Sequence, residues 1–311
     1  MKIKNSIIAS IASILCISAE GVELELQPKS SWQAVTPGEF SVRYSGKGWP
    51  WLAGKSPKTE TGIFYRLSWE GKSEDGIPRT FVLIDYKGEK NKKLYLDWNP
   101  TEHYQKYIQY FPGETGSEPT VCFSMNPGPT GKVSVKNIKL EALTPSETEK
   151  NLLPDGDFES GNIAPVSFSR INESPFKELK IVQSPAFLSG RKSLELSPET
   201  DGKFGIASIY LPIRPGKKVE LRFWAKADSP AALRAIINFT ARINKGGKHL
   251  YASADFKLGE QWREFRFLFD VPTDTAMYPA LLERMAKLQF SLPQHQRNTI
   301  WLDNIEFLAG K

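Results

Sequence analysis

Helical periodicity is almost absent from this chain, and that absence constrains the fold more than any single motif. Apolar residues recur at every second position, in β-branched and aromatic runs broken by Gly, Pro, Asn and Asp. Ten such runs stand out: Val22–Leu26, Ile63–Trp69, Thr80–Tyr86, Val133–Leu140, Lys192–Leu196, Lys218–Lys226, Leu233–Arg242, Glu264–Asp270, Lys287–Leu292 and Thr299–Phe307. Short strands with turn signals between them predict an all-β chain of antiparallel β-sandwiches, of the jelly-roll kind. The exception is Tyr278–Ala286, where Leu281-Leu282-Glu283-Arg284-Met285 predicts a short helical turn.

The chain of 311 residues divides by composition. Residues 1–19 have the layout of a secretory signal peptide: Lys2 and Lys4, an apolar run over about Ile7–Ile17, then Ser18-Ala19. Cleavage is expected after Ala19, because Leu15 before Cys16 is wrong for a lipid-modified cysteine. The apolar run is too short to span a bilayer. The chain is therefore expected to be secreted, periplasmic or on the cell surface, with no membrane span after cleavage. The polar, proline-broken stretch Thr144–Lys150 reads as a linker between one domain at 20–143 and a second at 151–311.

The two halves match each other. Tyr65-Arg-Leu-Ser-Trp-Glu-Gly-Lys72 aligns on Val219-Glu-Leu-Arg-Phe-Trp-Ala-Lys226, and Val133-Ser-Val-Lys-Asn-Ile-Lys-Leu140 on Ile300-Trp-Leu-Asp-Asn-Ile-Glu-Phe307. Tyr104-x-x-Tyr107 parallels Trp262-x-x-Phe265. Three matches in one order suggest a duplicated sandwich.

Composition narrows the chemistry. Lys and Arg number 41 against 35 Asp and Glu, a net charge of +6. That charge is ordinary for solubility and forms no concentrated basic stripe, so a nucleic-acid partner is not expected. Once Cys16 leaves with the signal, Cys122 is the only thiol; within Thr120-Val121-Cys122-Phe123-Ser124 it reads as a strand residue. No Gly-x-Ser-x-Gly segment, phosphate loop or His/Cys metal cluster is present in the sequence.

The second half opens on Asn151-Leu-Leu-Pro-Asp-Gly-Asp-Phe-Glu-Ser-Gly161, and Ser189-Gly-Arg-Lys-Ser-Leu194, Arg214-Pro-Gly-Lys-Lys-Val-Glu-Leu-Arg-Phe-Trp-Ala-Lys226, Trp262-Arg-Glu-Phe265 and Ile300-Trp-Leu-Asp-Asn-Ile-Glu-Phe307 follow in that order. With these five segments in sequence, the second half resembles the carbohydrate-binding modules of families 4, 9 and 22, the CenC type, a galactose-binding-like β-sandwich. In the opening segment Gly156 is expected to supply a positive φ, and Phe158 to bury as an anchor.

The resemblance implies a structural calcium in the second domain, held by Glu159 and Asp303, with Asp157 and the Lys192 carbonyl as further donors. The first half lacks the opening segment and has Lys136 where the second has Asp303, so no metal is expected there. The resemblance also implies a sugar groove on a sheet face. Alternation puts Arg222, Trp224, Asn238, Arg242 and Gln289 on the sides of their strands away from the core. Stacked as neighbours in one sheet, these strands would present a single surface suited to a glycan, including an anionic one. The alternative is an ordinary solvated β face with Trp224 covered by a loop. In the first half Trp49 and Trp51, in Gly48-Trp49-Pro50-Trp51, form either a stacking platform or a cover over one end of the core.

These observations predict an exported, non-catalytic protein that binds a polysaccharide or oligosaccharide. Two other readings compete: a structural or adhesion sandwich without a sugar site, and a glycan-degrading enzyme on a jelly-roll scaffold.

Overall fold

A computed structural model describes residues 22–310 except 25, 30, 77, 79, 87–92, 149, 160–178, 183–187, 198–203, 239–250, 272, 274–284 and 293–296. The chain forms two compact units, Met1–Glu147 and Thr148–Lys311.

In the first unit, strands β3 (Gln33–Thr36), β4 (Glu39–Tyr44), β11 (Gly131–Leu143), β6 (Phe64–Glu74) and β9 (Gln105–Pro112) lie side by side, with β1 (Val22–Glu23) also paired to β11. The second sheet runs β2 (Gln27–Lys29), β5 (Trp51–Lys55), β10 (Thr120–Met125), β7 (Thr80–Asp85), β8 (Lys93–Trp98). Every pairing is antiparallel. Trp69 of β6 bridges the layers: it meets Trp98 of β8 at 5.5 Å and Phe123 of β10 at 5.3 Å, edge to face, and stacks on Tyr107 of its own sheet. Gly71 makes room for this cluster, since a Cβ there would sit 2.6 Å from the Trp98 ring.

The second unit repeats the plan. One sheet is β12 (Leu179–Val182), β13 (Ser193–Leu196), β20 (Ile300–Ala309), β15 (Lys218–Ala227), β18 (Arg263–Asp270). The other is β14 (Phe204–Pro212), β19 (Met285–Leu292), β16 (Ala231–Asn238), β17 (Tyr251–Leu258). Phe223 of β15 takes the place Trp69 has in the first unit, contacting Phe290 and Phe256 of the opposite sheet at 5.1 Å each. The residues expected inside by alternation are inside: Val219, Leu221, Phe223, Leu233, Ala235 and Ile237 are all fully buried.

The repeat holds at the level of register. Lys136 of β11 pairs with Glu70 of β6, and Asp303 of β20 pairs with Trp224 of β15. A register shift follows in each case, and the next residue, Asn137 or Asn304, has a left-handed backbone (φ 53 and 47). The stretch expected as a linker holds one helical turn, α1 (Pro145–Thr148), capped by Thr144, whose N–H and hydroxyl both donate to Glu147. Of the expected helical turn, residues 278–284 lie outside the described residues, and Met285-Ala286 open strand β19 instead. Both residues are buried there.

Candidate functional site

The four-stranded sheet of the second unit turns one face to its partner sheet and the other outward. Register aligns the outward side chains in rows across the strands. One row runs Tyr210, Lys287, Asn238, Tyr251, from β14 through β19 and β16 to β17. The next runs Ala207, Gln289, Ile236, Ser253, and a third carries Ser291, Arg234 and Asp255. Tyr210 reaches the outer face through a bulge between Ala207 and Tyr210. The irregularity is satisfied internally, because the Ser208 hydroxyl donates to the Ile209 carbonyl and accepts from the Leu288 N–H at 3.0 Å.

Lys287 Nζ lies 4.3 Å from the Tyr210 ring centroid, a cation–π contact that holds both side chains along the sheet. Tyr251, on the edge strand, is 62% exposed. Arg234 is spent on a bidentate pair with Asp255 (2.6 and 2.8 Å). The face therefore offers aromatic rings at its two edges, amides from Asn238 and Gln289 between them, and little uncompensated charge.

The expected single surface is not formed. Asn238 and Gln289 share this face, whereas Arg222 and Trp224 are on β15, in the other sheet; Arg242 lies outside the described residues. The reason is topological. β15 ends at Ala227 and β16 begins at Ala231, and the bend between them carries the chain from one sheet to the other. Ala227 and Asp228 bond to Gly259 and Thr299 rather than to β16. Strands adjacent in sequence are thus opposed across the core.

On its own sheet Arg222 is held by Glu220 at 2.7 and 2.9 Å and faces Glu306 at 3.8 Å. Trp224 is half-buried between the positions of Glu264 and Asp303. Lys226 extends between the rings of Trp262 and Trp301 at 5.3 and 5.0 Å. Sequence reasoning missed Tyr210, Lys287 and Tyr251. The signal for Tyr251 was present in Tyr-Ala-Ser-Ala-Asp-Phe-Lys-Leu, whose small inward residues hide the alternation.

At the seam between the opening segment and β20, Asn151 clamps the edge. Its Oδ1 accepts the N–H groups of Phe307 (2.9 Å) and Leu153 (3.1 Å), and its Nδ2 donates to the Ile305 carbonyl. Phe158 is fully buried as expected. Gly156 acts differently from expectation: positive φ falls on Asp155 (53) and Phe158 (57) instead. Glycine is required at 156 because a Cβ there would run into the Ile305 carbonyl oxygen. The Ile305 N–H donates back to the Gly156 carbonyl at 2.8 Å.

Asp303 lies beside this seam with no exposed surface. One of its oxygens accepts the Asn304 N–H at 2.7 Å; the other is buried with no hydrogen-bond partner among the described residues. Burial, then the negative charges of Glu159 and Asp157, push its carboxyl up to about 6. Glu159 accepts the N–H groups of Arg191 (2.7 Å) and Lys192 (2.9 Å), which hold its carboxyl below the usual range. Asp157 is exposed and accepts the Glu159 N–H at 3.4 Å. Among the described residues no three acidic, His or Cys groups approach one another closely enough to enclose a metal. A buried, orphaned carboxylate oxygen under the negative charge of two further carboxylates nevertheless fits a hard cation.

At the corresponding place in the first unit, Lys136 lies 4.0 Å from the Tyr104 ring centroid and 3.6 Å from Glu70, and the Tyr104 hydroxyl donates to Glu39 at 2.7 Å. There the chain supplies its own cation.

Trp49 is 47% exposed and Trp51 half-buried; both meet Phe81 edge to face, at 5.9 and 6.3 Å. Cys122 packs against Phe81 and Leu83, and burial pushes its thiol up to about 12. The thiolate is the reactive form. Cys122 should therefore resist Ellman's reagent at pH 8 in the native chain and react fully in urea; rapid native labelling would show that this sheet face opens.

The sequence signature of the carbohydrate binding domain family matches residues 150–280. No curated protein matches the chain. Among solved structures the chain is similar to the N-terminal CBM22-1–CBM22-2 tandem domain of Paenibacillus barcinonensis Xyn10C, at 15% identity and a TM-score of 0.40, covering 93% of this chain and 95% of that one. It is also similar to a CBM4 structure (16%, TM-score 0.35, 50% of this chain and 98% of that one). A third is TmCBM61 in complex with β-1,4-galactotriose (14%, TM-score 0.36, 51% and 98%). Residues 150–280, within the second of the two sandwiches, are thus similar to the carbohydrate binding domain family.

Proposed function

We propose that the chain is an exported, non-catalytic protein that binds a polysaccharide or oligosaccharide, held across the outer face of the four-stranded sheet of its second unit. The row Tyr210, Lys287, Asn238, Tyr251 carries this reading. It crosses four strands, three steps of about 4.8 Å, so a chain laid along it meets an aromatic ring at each end over roughly 14 Å. Sugar rings place their apolar C–H faces on such rings and their hydroxyls against planar amides, here Asn238 and Gln289. The pairing of Arg234 with Asp255 and the removal of Arg222 to the opposite sheet favour a neutral glycan over an anionic one.

A calcium ion at the seam would be held by Asp303 and Glu159, with Asp157 and the Lys192 carbonyl as further donors. Bound there, it would neutralise the carboxylates that repel one another and tie the opening segment to β20; it takes no part in sugar contact.

Affinity electrophoresis of the mature chain in gels containing xylan, mixed-linkage β-glucan, galactomannan or polygalacturonate tests the reading. Tyr251→Ala should weaken retardation by a neutral polysaccharide about tenfold, the worth of one stacking ring. Wild-type retardation of a folded Tyr251→Ala chain, or a preference for polygalacturonate alone, would reject it.

A further inference from the structure

The internal repeat contains one place where the two units carry opposite charge. In the second unit Arg222 of β15 stands across from Glu306 of β20, and Trp224, next in the same outward row, stands across from Glu264 of β18. The Arg222 guanidinium is held by Glu220 at 2.7 and 2.9 Å and faces Glu306 at 3.8 Å, so its charge is met within the chain. The same register in the first unit puts Ser68 of β6 in the place of Arg222. It puts Lys139 of β11 in the place of Glu306, and Lys106 of β9 in the place of Glu264. A guanidinium is exchanged for a hydroxymethyl group, and two carboxylates for two ammonium groups.

At this place lies a cavity of about 370 Å³ lined by Ser68, Trp69, Glu70, Lys106, Asn137 and Lys139. Ser68 sits at its base. Alternation with the buried Leu67 and Trp69 turns it away from the core, yet it is only 9% exposed. Lys106 and Lys139 are exposed, on the strands either side of β6, and neither pairs with a carboxylate among the described residues. Two strand spacings and two residues separate them, roughly 12 Å between Cα atoms. Two flexible four-carbon stems can close that gap from opposite sides.

The carboxylate in the wall is already engaged. Glu70 accepts the Asn137 amide at 2.8 Å and lies 3.6 Å from Lys136. Asn137 is set for this bond by its left-handed backbone at the register shift (φ 53). With Glu70 balanced by Lys136, the charges of Lys106 and Lys139 are left uncompensated.

The donors select the ligand. No arginine lines the cavity among the described residues, so the planar two-point grip that suits a carboxylate is absent. Lysines act as point charges with rotatable donors, a mode that suits the tetrahedral oxygens of a phosphate. Two ammonium groups also match the charge of nearly −2 that a phosphate monoester carries at neutral pH. Sites for small molecules run from about 300 Å³ upward, so the cavity has room for the body of a small ester beside its phosphate.

We propose that the outward side of β11, β6 and β9 is a binding site for a small phosphate-bearing molecule. Lys106 and Lys139 grip the phosphate from opposite sides, and the Ser68 hydroxyl donates to it from the base. The site is independent of the sugar face of the second unit.

The experiment titrates the full mature chain at pH 7.5 and low ionic strength by isothermal calorimetry. The probes are sn-glycerol 3-phosphate and inorganic phosphate, with glycerol and succinate as controls. None is a sugar, so the result does not depend on the second unit's face. The phosphate probes should bind, and glycerol and succinate should bind at least tenfold more weakly. Lys106→Gln and Lys139→Gln should each weaken phosphate binding about tenfold. Both side chains are exposed, so melting temperature should not move. Glu70→Gln keeps an acceptor for Asn137 and removes a negative charge from the wall, and should tighten binding about threefold. Tighter binding of the ester would identify an ester as the ligand, and equal binding would identify free phosphate. The proposal is overturned if neither phosphate probe binds, if succinate binds as well as they do, or if both lysine variants bind like the wild type.

Discussion

Gly156→Ala is expected to lower the stability of the second unit by about 3 kcal/mol, at the upper end of the range for inserting a methyl group where none fits. The added Cβ would meet the Ile305 carbonyl oxygen, a backbone atom with no rotamer to escape into. Ile305 cannot retreat, because its own N–H is bonded to the Gly156 carbonyl and its carbonyl takes the Asn151 amide. The methyl group therefore breaks several hydrogen bonds at once along the edge of β20. Thermal melting followed in the far ultraviolet should show one transition moved down by several degrees and the other, from the first unit, unmoved. A wild-type melting profile would mean that the opening segment is not seated on β20.

Asp303→Asn should change stability in opposite directions with and without a divalent cation. In chelator, the folded chain holds this carboxyl near 6 against an ordinary 3.8. Between those values the folded state keeps a proton that the unfolded state has released, so stability falls as pH rises through that window and is level above it. By pH 7 the buried charge costs about 3 kcal/mol, and the amide, which has no charge to bury, should recover much of it. With millimolar calcium the order reverses: the wild type gains a ligand-stabilised seam and the variant loses its orphaned donor. Melting both proteins at pH 7 in EDTA and in calcium decides the matter. A wild type indifferent to calcium would sink the cation site, while the gain from asparagine in EDTA would still test the burial argument.

Much of the fold was legible because period-2 alternation is a local property. Lys218–Lys226 and Val133–Leu140 read correctly as strands; the inward residues of the first are buried because every second side chain had to be apolar, and in the second the apolar step is broken once, at the register shift after Lys136. Sheet membership is not local. Nothing within Lys218–Asn238 says that the bend after Ala227 crosses the sandwich, so side chains assigned to one surface are divided between two. Gly156 shows the same limit: its turn was visible, but the carbonyl it must accommodate comes from Ile305, nearly the whole domain away. Trp49 and Trp51 stood out by residue type alone, whereas nothing within the run Thr80–Tyr86 singled out Phe81, on which both rings pack.

The strand order also dictates when each half can close. In the second unit the last strand, β20, is interior to its sheet, between β13 and β15, and in the first unit β11 lies between β4 and β6 in the same way. Until β20 arrives, β13 and β15 have no common neighbour, and the side of Phe223 that should face a finished layer is open. A chain emerging from its amino end can complete the first sandwich once about Leu143 is free, while the second must wait for its final dozen residues. Such late, long-range pairing is slow to form. Truncation just before Ile300 would leave two half-sheets with no seam between them.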